Sequence, residues 1–360
     1  MGLAQADIAT TKAIESFILG IMRPRTVTSR RSMPNPQQWA SAKARQALYA
    51  SLRATLSALG YEEVETPALV PRPGMEPHIN AFEVHFTPEM DSGPPSTLYL
   101  HTSPEYAMKR LLAEGAGAIF QICKVFRNGE LSDSHNPEFS MLELYRPGAD
   151  YHRIMEDLET LLASAEVAVN SNRHCFTQVP YQRLSFREAF LSEIGIDLER
   201  CTDAGSLREE ARRAGVLVGE TSSFEDLLLH VFLQKVEAKL GSTRPTFLVE
   251  YPASMASLAR LKPGDRSLAE RFELYSDGRE LANGFSELTD SREQRGRLMD
   301  EQAQRRTTGR PVYPLDEKFL EAVSRLPPCA GVALGLDRLL MTLLQVDRIE
   351  DVLLFPANQF

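Results

Sequence analysis

Two arginines stand where strand-like runs end, and two glutamates share a third run. Phe126-Arg127-Asn128-Gly129-Glu130 puts a guanidinium at the edge of a polar loop, and His135-Asn136-Pro137-Glu138-Phe139 brings the chain back across it. A planar fork of donors suits a phosphate oxygen. Phe139, across the hairpin, offers a face on which a base could stack. Gly331-Val332-Ala333-Leu334-Gly335-Leu336-Asp337-Arg338 alternates small residues along a strand and delivers Arg338 to the start of a helix. Such a strand lets a ligand approach bare backbone. Glu280-Leu281-Ala282-Asn283-Gly284-Phe285-Ser286-Glu287 carries two carboxylates seven positions apart. Side chains alternate along a strand, so both reach one site only if the strand bends, and Gly284 is the expected bend. Two carboxylates beside a polyphosphate suit Mg²⁺, which takes one or two carboxylates plus phosphate oxygens.

Each segment alone also fits a plainer role. The hairpin arginine reads as a surface salt bridge, the glycine-punctuated strand as tight helix–strand packing, and the two glutamates as solvated acids. Their combination carries the weight.

These residues need strands and helices to hold them. A helix is expected from about Pro36–Gln38, with Leu48, Leu52, Leu56 and Leu59 at helical spacing and Gly60 as its stop. Glu62–Pro67 reads as a short strand ended by proline, and 68–98 as loops rich in Pro and Gly. A helix follows, then strands at 117–126 and 139–145 joined by a long-tipped hairpin. Residues 150–240 read as mostly helical. Strands return at 246–250, 270–276 and 279–285, a polar helix covers 290–308, and a strand runs into a Leu-rich helix over 331–344. Prolines at strand ends and hairpins point to antiparallel pairing. The expected class is α+β, an antiparallel sheet flanked by helices, with a helical insertion at about 150–240.

Composition limits the function. The 360 residues hold 43% hydrophobic and 25% charged residues, enough to bury a large core. Lys+Arg 40 against Asp+Glu 49 gives a net charge of −9, which excludes a generally basic nucleic-acid binder. The four cysteines form no C-x-x-C pair, so neither a zinc site nor a disulfide framework is expected, and reduced thiols fit a cytoplasmic protein. Residues 1–45 hold seven Lys/Arg and two Asp/Glu. Ile8, Ile14, Phe17, Ile18 and Ile21 could line a short helix there, but the apolar piece is too short for a secretory signal. Residues 1–37 are expected to be a flexible extension, with Met22 and Met33 as alternative starts.

Taken together, the segments resemble the three motifs of class II aminoacyl-tRNA synthetases. Tyr61–Pro67 resembles motif 1, Phe126–Glu130 with His135–Tyr145 resembles motif 2, and Gly331–Arg338 resembles motif 3. Thr102-Ser103-Pro104-Glu105, His135–Tyr145 and Glu280–Phe285 are similar to the lysyl subclass. The anticodon-binding barrel of that subclass is not expected, because about 37 residues before the first catalytic helix are too few for one. The pattern is similar instead to the stand-alone paralogues that ligate (R)-β-lysine to elongation factor P. Tyr106–Leu112, Tyr251-Pro252-Ala253-Ser254 with Ala256–Ala259, and Ala333 for a glycine in motif 3 all resemble that group.

The resemblance implies ATP and Mg²⁺ as cofactors and two chemical steps: a carboxylate attacks the α-phosphate of ATP and expels pyrophosphate, and a lysine ε-amine of elongation factor P then attacks the acyl-adenylate and displaces AMP. It implies Arg127 on the α-phosphate and Arg338 on the γ-phosphate as the catalytic pair. It implies an ATP site that also includes Asn128, Gly129, Asn136, Phe139, Glu280, Leu281 and Gly335. It implies that Glu280 and Glu287 hold Mg²⁺. Ser103, Pro104, Glu105, Glu143, Tyr145 and Glu287 would form the amino-acid pocket, with Glu105 and Glu143 facing ammonium groups. Motif 1 implies a homodimer. The Ala333 methyl is expected to narrow the pocket floor and so to select by shape.

One departure stands out. Motif 2 reads R-x-E in the family, and Gly129 occupies the glutamate position with Glu130 one place later. The expectation is weaker ATP affinity rather than lost activity. The loop tip Leu131–Ser134 also lacks basic residues, which accords weakly with a protein acceptor. Two further readings remain open at this point: a synthetase-like ligase acting on another acceptor, and a non-catalytic regulatory paralogue that only binds ligands.

Overall fold

The computed structural model describes residues 34–89, 93–219 and 223–359. The amphipathic piece expected near Ile8–Ile21, and both alternative starts, lie outside the described residues.

Helix α1 (Pro36–Ala58) begins where expected. Asn35 Oδ1 accepts from the Gln38 backbone N–H and Gln38 Oε1 accepts from the Asn35 N–H, a capping box with proline in the first turn. Strand β1 (Glu62–Glu63) is only two residues long. The stretch expected as loops contains instead a small sheet of β2 (Leu69–Val70), β3 (Phe82–Phe86) and β4 (Ser96–Leu100), in the order β2-β4-β3. Phe82, Val84 and Phe86 alternate with Glu83 and His85, the period of a strand. The surrounding prolines and glycines mask that alternation.

Helix α2 (Glu105–Ala113) leads into the hairpin of β5 (Ile119–Phe126) and β6 (Glu138–Pro147). Helix α3 (Tyr151–Val169), strand β7 (Gln182–Ser185) and helices α4 (Phe186–Ile194), α5 (Ala204–Arg213) and α6 (Phe224–Val231) follow. Then come β8 (Thr246–Pro252), β9 (Leu261–Lys262), β10 (Asp265–Ser276) and β11 (Arg279–Ser286). Helices α7 (Ser291–Thr307) and α8 (Glu317–Val323), strand β12 (Cys329–Gly335) and helix α9 (Leu336–Leu344) complete the core.

The large sheet runs β1-β5-β6-β12-β11-β10-β8-β7, with β9 added to β10. Only β1–β5 and β7–β8 are parallel, so the expected antiparallel sheet is what forms. Helices α1, α3 and α9 cover one face. Leu52, Leu158 and Leu340 pack there with Phe120, Leu144, Leu274 and Val332. Burial of each such side chain contributes about 1.5–3 kcal/mol, and Leu158→Ala would cost about 2–5 kcal/mol.

The helical block expected at 150–240 divides in two. Helix α3 belongs to the main core, because Ile154, Leu158 and Leu162 pack on the sheet. Residues from Phe186 onward build a second core, where Phe186, Phe190 and Phe232 stack beside Tyr251 and Tyr275. Strand β7 extends the sheet beside β8. On the other face of β11, Phe285 joins Phe319, Leu320, Tyr99 and Tyr106 from α8, β4 and α2. All four cysteines are free thiols. Among the described residues, no helix is long and apolar enough to cross a membrane.

Candidate active site

A cavity of about 420 Å³ opens on the sheet face opposite α1, α3 and α9, at the ends of β5, β6, β11 and β12. That volume suits a small ligand.

Arg127 follows β5 directly. Its backbone N–H donates to Pro137 O at 2.8 Å, which closes the hairpin, and the Asn128 N–H donates to Asn80 O at 2.7 Å. The Arg127 guanidinium lies 5.0 Å from the Phe139 ring centroid. Its Nε is buried with no hydrogen-bond partner. A buried orphan donor is costly unless a ligand completes it, and a phosphate oxygen fits.

Arg338 sits in the first turn of α9. It donates to Glu280 O at 3.1 Å and to His135 Nε2 at 2.6 Å. Burial, with Arg338 and Arg127 beside it, pushes the His135 imidazole down to about 3. His135 therefore stays neutral and accepts the arginine proton. Asp337 holds this helix end in place: it pairs with Arg45 of α1 and accepts from the Ser140 N–H at 2.6 Å. Gly335 lines the cavity, and a Cβ there would meet nothing closer than 3.7 Å.

Glu280 and Glu287 both enter the cavity, but the bend is not at Gly284. Glu280 pairs with Tyr275 and Ala282 with Leu274, so Leu281 is an extra residue in β11. Such a bulge shifts the alternation by one and brings an odd-spaced pair to one face. Gly284 is required by packing instead, since a Cβ would lie 2.6 Å from Phe272 Cζ and 2.7 Å from Gly331 O.

The two glutamates meet different neighbours. Glu280 lies with Glu273, Arg338 and Arg271, and burial raises its carboxyl. Glu287 lies with Lys109, whose Nζ is 2.5 Å from its Oε2. Among the described residues, no group of three or more metal-ligating side chains is gathered.

The inner end of the cavity is an acidic box. Ser103 donates to Glu143 Oε1 at 2.5 Å and Tyr145 donates to Glu143 Oε2 at 3.0 Å. Burial and the nearby Glu105 raise the Glu143 carboxyl to about 8. Lys109 Nζ is also 2.5 Å from Glu105 Oε1. Ser103 Oγ accepts from the Glu105 N–H at 2.9 Å, and Pro104 starts α2 behind it. Ala333 opposes Glu143 and Asn283 in the sheet and lines the floor.

A sequence model of the tRNA synthetases class II (D, K and N) matches residues 25–359. The chain belongs to that family. It is 41% identical over 319 residues to the elongation factor P–(R)-β-lysine ligase of Salmonella typhi, covering 88% of this chain and 94% of that one. It is 40% identical, with the same coverage, to the protein of that name from Erwinia tasmaniensis.

Within this class II chain the expected residues divide. Arg127, Asn136, Phe139, Glu280, Leu281, Gly335 and Arg338 line one half of the cavity, and Ser103, Glu105, Glu143, Tyr145 and Glu287 the other. Asn128 and Gly129 form the turn rather than the wall, and Pro104 lines a small adjoining hollow. Asn136 is already engaged, donating to Glu138 O at 2.6 Å and accepting from the Ala357 N–H at 2.9 Å. At the family's motif 2 glutamate position, Gly129 has φ +96°, a backbone that favours glycine. The turn sends Glu130 back to the cavity wall, with Oε1 3.6 Å from Arg127.

Sequence reasoning gave no role to Lys109, Glu273, Arg271 or Asp337. The Glu105–Lys109 spacing of four on a helix was a usable signal. Arg271 and Glu273 pair at 2.7 Å in the cavity wall, two residues apart on one strand face.

Proposed function

We propose that this chain activates (R)-β-lysine, or lysine, as an adenylate and transfers it to a lysine side chain of elongation factor P. The observation that carries this reading is the continuity of the cavity. It joins an arginine-and-aromatic half to an acidic half, as an acyl-adenylate with two ammonium groups requires. The named relatives are ligases of this kind.

Arg127 supports the α-phosphate with its orphan Nε and gains strength as charge develops there. Phe139 stacks on the adenine. Arg338 reaches the γ-phosphate, with His135 neutral beside it. The acidic half, with Glu143, Glu105 and Glu287, balances the charge of the two ammonium groups. Together these contacts align the carboxylate with the α-phosphate, and positioning supplies much of the acceleration. The neutral amine of the acceptor lysine then attacks the acyl carbon, AMP leaves, and an amide forms.

Glu280, which lies 3.6 Å from Arg338, would hold Mg²⁺ with the phosphates, and the family resemblance adds Glu287, which also faces the substrate. When bound, Mg²⁺ neutralises phosphate charge. Tyr61–Pro67, the stretch that resembles motif 1, supports a homodimer by family resemblance. The net charge of −9 supports a protein acceptor over tRNA.

ATP–pyrophosphate exchange tests the first step. Exchange that depends on (R)-β-lysine or lysine is expected, and none with either would overturn the reading.

A further inference from the structure

Glu76 is an acid of the cavity wall that none of the roles above uses. It lies in the loop between β2 and β3 and borders both the main cavity and the small hollow beside it, which share Ser103 and Glu105. Its Oε2 is buried and has no hydrogen-bond partner. The loop that presents it is held by a buried side chain. Arg305, itself fully buried, donates to Glu76 O at 2.6 Å, to Ile79 O at 2.8 Å and to Asn80 Oδ1 at 2.8 Å. Gly74 makes room for the carboxylate, because a Cβ there would lie 2.3 Å from Glu76 Oε2.

The acidic half of the cavity leaves few open acceptors. Glu143 accepts from Ser103 and Tyr145, and Glu105 pairs with Lys109. Among the described residues, the buried carboxylate oxygens without a hydrogen bond are Glu76 Oε2 and those of Glu287, one of which faces Lys109. Two carboxylates with unsatisfied oxygens match a ligand with two ammonium groups. They are not equivalent. The loop of Glu76 is tied beside Arg127, where the Asn128 N–H donates to Asn80 O at 2.7 Å, whereas Glu287 faces Lys109 of α2. Arg127 marks the end where the reacting carboxylate meets the α-phosphate.

We infer that Glu76 is a substrate-binding residue that takes the ammonium nearest the reacting carboxylate, while Glu287 takes the distal one. This rests on the amino-acid activation proposed above. Burying a carboxylate beside Glu105 with one oxygen unsatisfied is unfavourable in the free protein, and the ligand's ammonium supplies the missing partner. An acceptor held here reads where along the chain the amine is attached. Glu76 thus sets substrate preference by position, alongside the shape of the floor at Ala333.

Titration calorimetry on the full chain tests this with two probes, (R)-β-lysine and 6-aminohexanoate, which lacks the proximal amine. Glu76→Gln should weaken (R)-β-lysine about 10- to 100-fold, the range for a hydrogen bond to a charged group. It should leave 6-aminohexanoate and ATP affinity unchanged, and should not lower the melting temperature. Gly74→Ala, which displaces the carboxylate without removing it, should reproduce the selective loss. An equal loss for both probes, or a lowered melting temperature with no change in selectivity, makes Glu76 structural and overturns the inference. Wild-type ATP–pyrophosphate exchange separates the two levels. Exchange with unaltered selectivity in Glu76→Gln defeats only the role of Glu76, whereas no exchange with either diamine defeats the activation reading and this inference with it.

Discussion

Lys109, buried outside the cavity lining, and Glu287, within it, form an ion pair, Nζ to Oε2 at 2.5 Å, beside the acidic half that suits a dication. A cation of the protein thus already backs one of the carboxylates that cationic ligands are to meet. Lys109 also pairs with Glu105 and lies 5.2 Å from the Phe285 ring centroid. It ties α2 to β11 and holds two carboxylates apart at a fixed spacing.

Removing Lys109 should therefore destabilise the fold. Lys109→Met leaves buried carboxylates uncompensated, which costs about 3–5 kcal/mol. Adding Glu287→Gln should recover part of that loss. Denaturant unfolding of the single and double variants checks this, and additive losses would contradict it.

The acidic box should couple ligand binding to protons. Burial and Glu105 raise the Glu143 carboxyl to about 8, above its ordinary range. A folded-state value raised above the unfolded one contributes stability that is present at acid pH and lost as pH rises toward about 8. At pH 7 the free protein therefore holds a proton that a bound ammonium displaces. Calorimetry in two buffers of different ionisation enthalpy should show proton release on (R)-β-lysine binding, and Glu143→Gln should reduce it. Binding heats that do not depend on the buffer would count against this.

Arg127 should act on chemistry rather than on folding. Its Nε has no partner in the free protein, so Arg127→Ala should leave the melting temperature nearly unchanged. Single-turnover adenylate formation should slow by about two to three orders of magnitude, as for loss of a donor to developing charge. A near wild-type rate would remove Arg127 from the α-phosphate.

The motif 2 departure needs the right variant. Gly129→Glu would force a side chain onto φ +96°, a strain of about 1–2 kcal/mol, so its effect on ATP would be confounded. Glu130→Ala is cleaner, because Glu130 reaches the cavity wall near Arg127. The KM for ATP should rise several-fold with little change in stability. An unchanged KM would mean that Glu130 does not replace the family glutamate.

What the sequence made legible follows the range of the interactions. Arg127 and Arg338 are readable because each ends a strand inside a compact motif, and the α1 leucines because a helix has a fixed period. The bulge at Leu281 was not readable: two carboxylates seven apart signal an irregularity, but Gly284 was the more obvious place for it. The small sheet of β2, β3 and β4 was hidden because proline and glycine outweighed a short alternation. Glu76 was beyond reach, since the residue that fixes its loop, Arg305, is 229 positions away. Local patterns give local structure, and a cavity is assembled from contacts with no sequence period.

The most direct test of the account is intact-mass spectrometry of elongation factor P after incubation with this protein, ATP, Mg²⁺ and (R)-β-lysine, with lysine and tRNA run in parallel. The account predicts a mass gain on the factor equal to one acyl group, larger with the β-isomer than with lysine, and no charging of tRNA. An unmodified factor, despite adenylate formed in the same tube, would contradict the proposed acceptor.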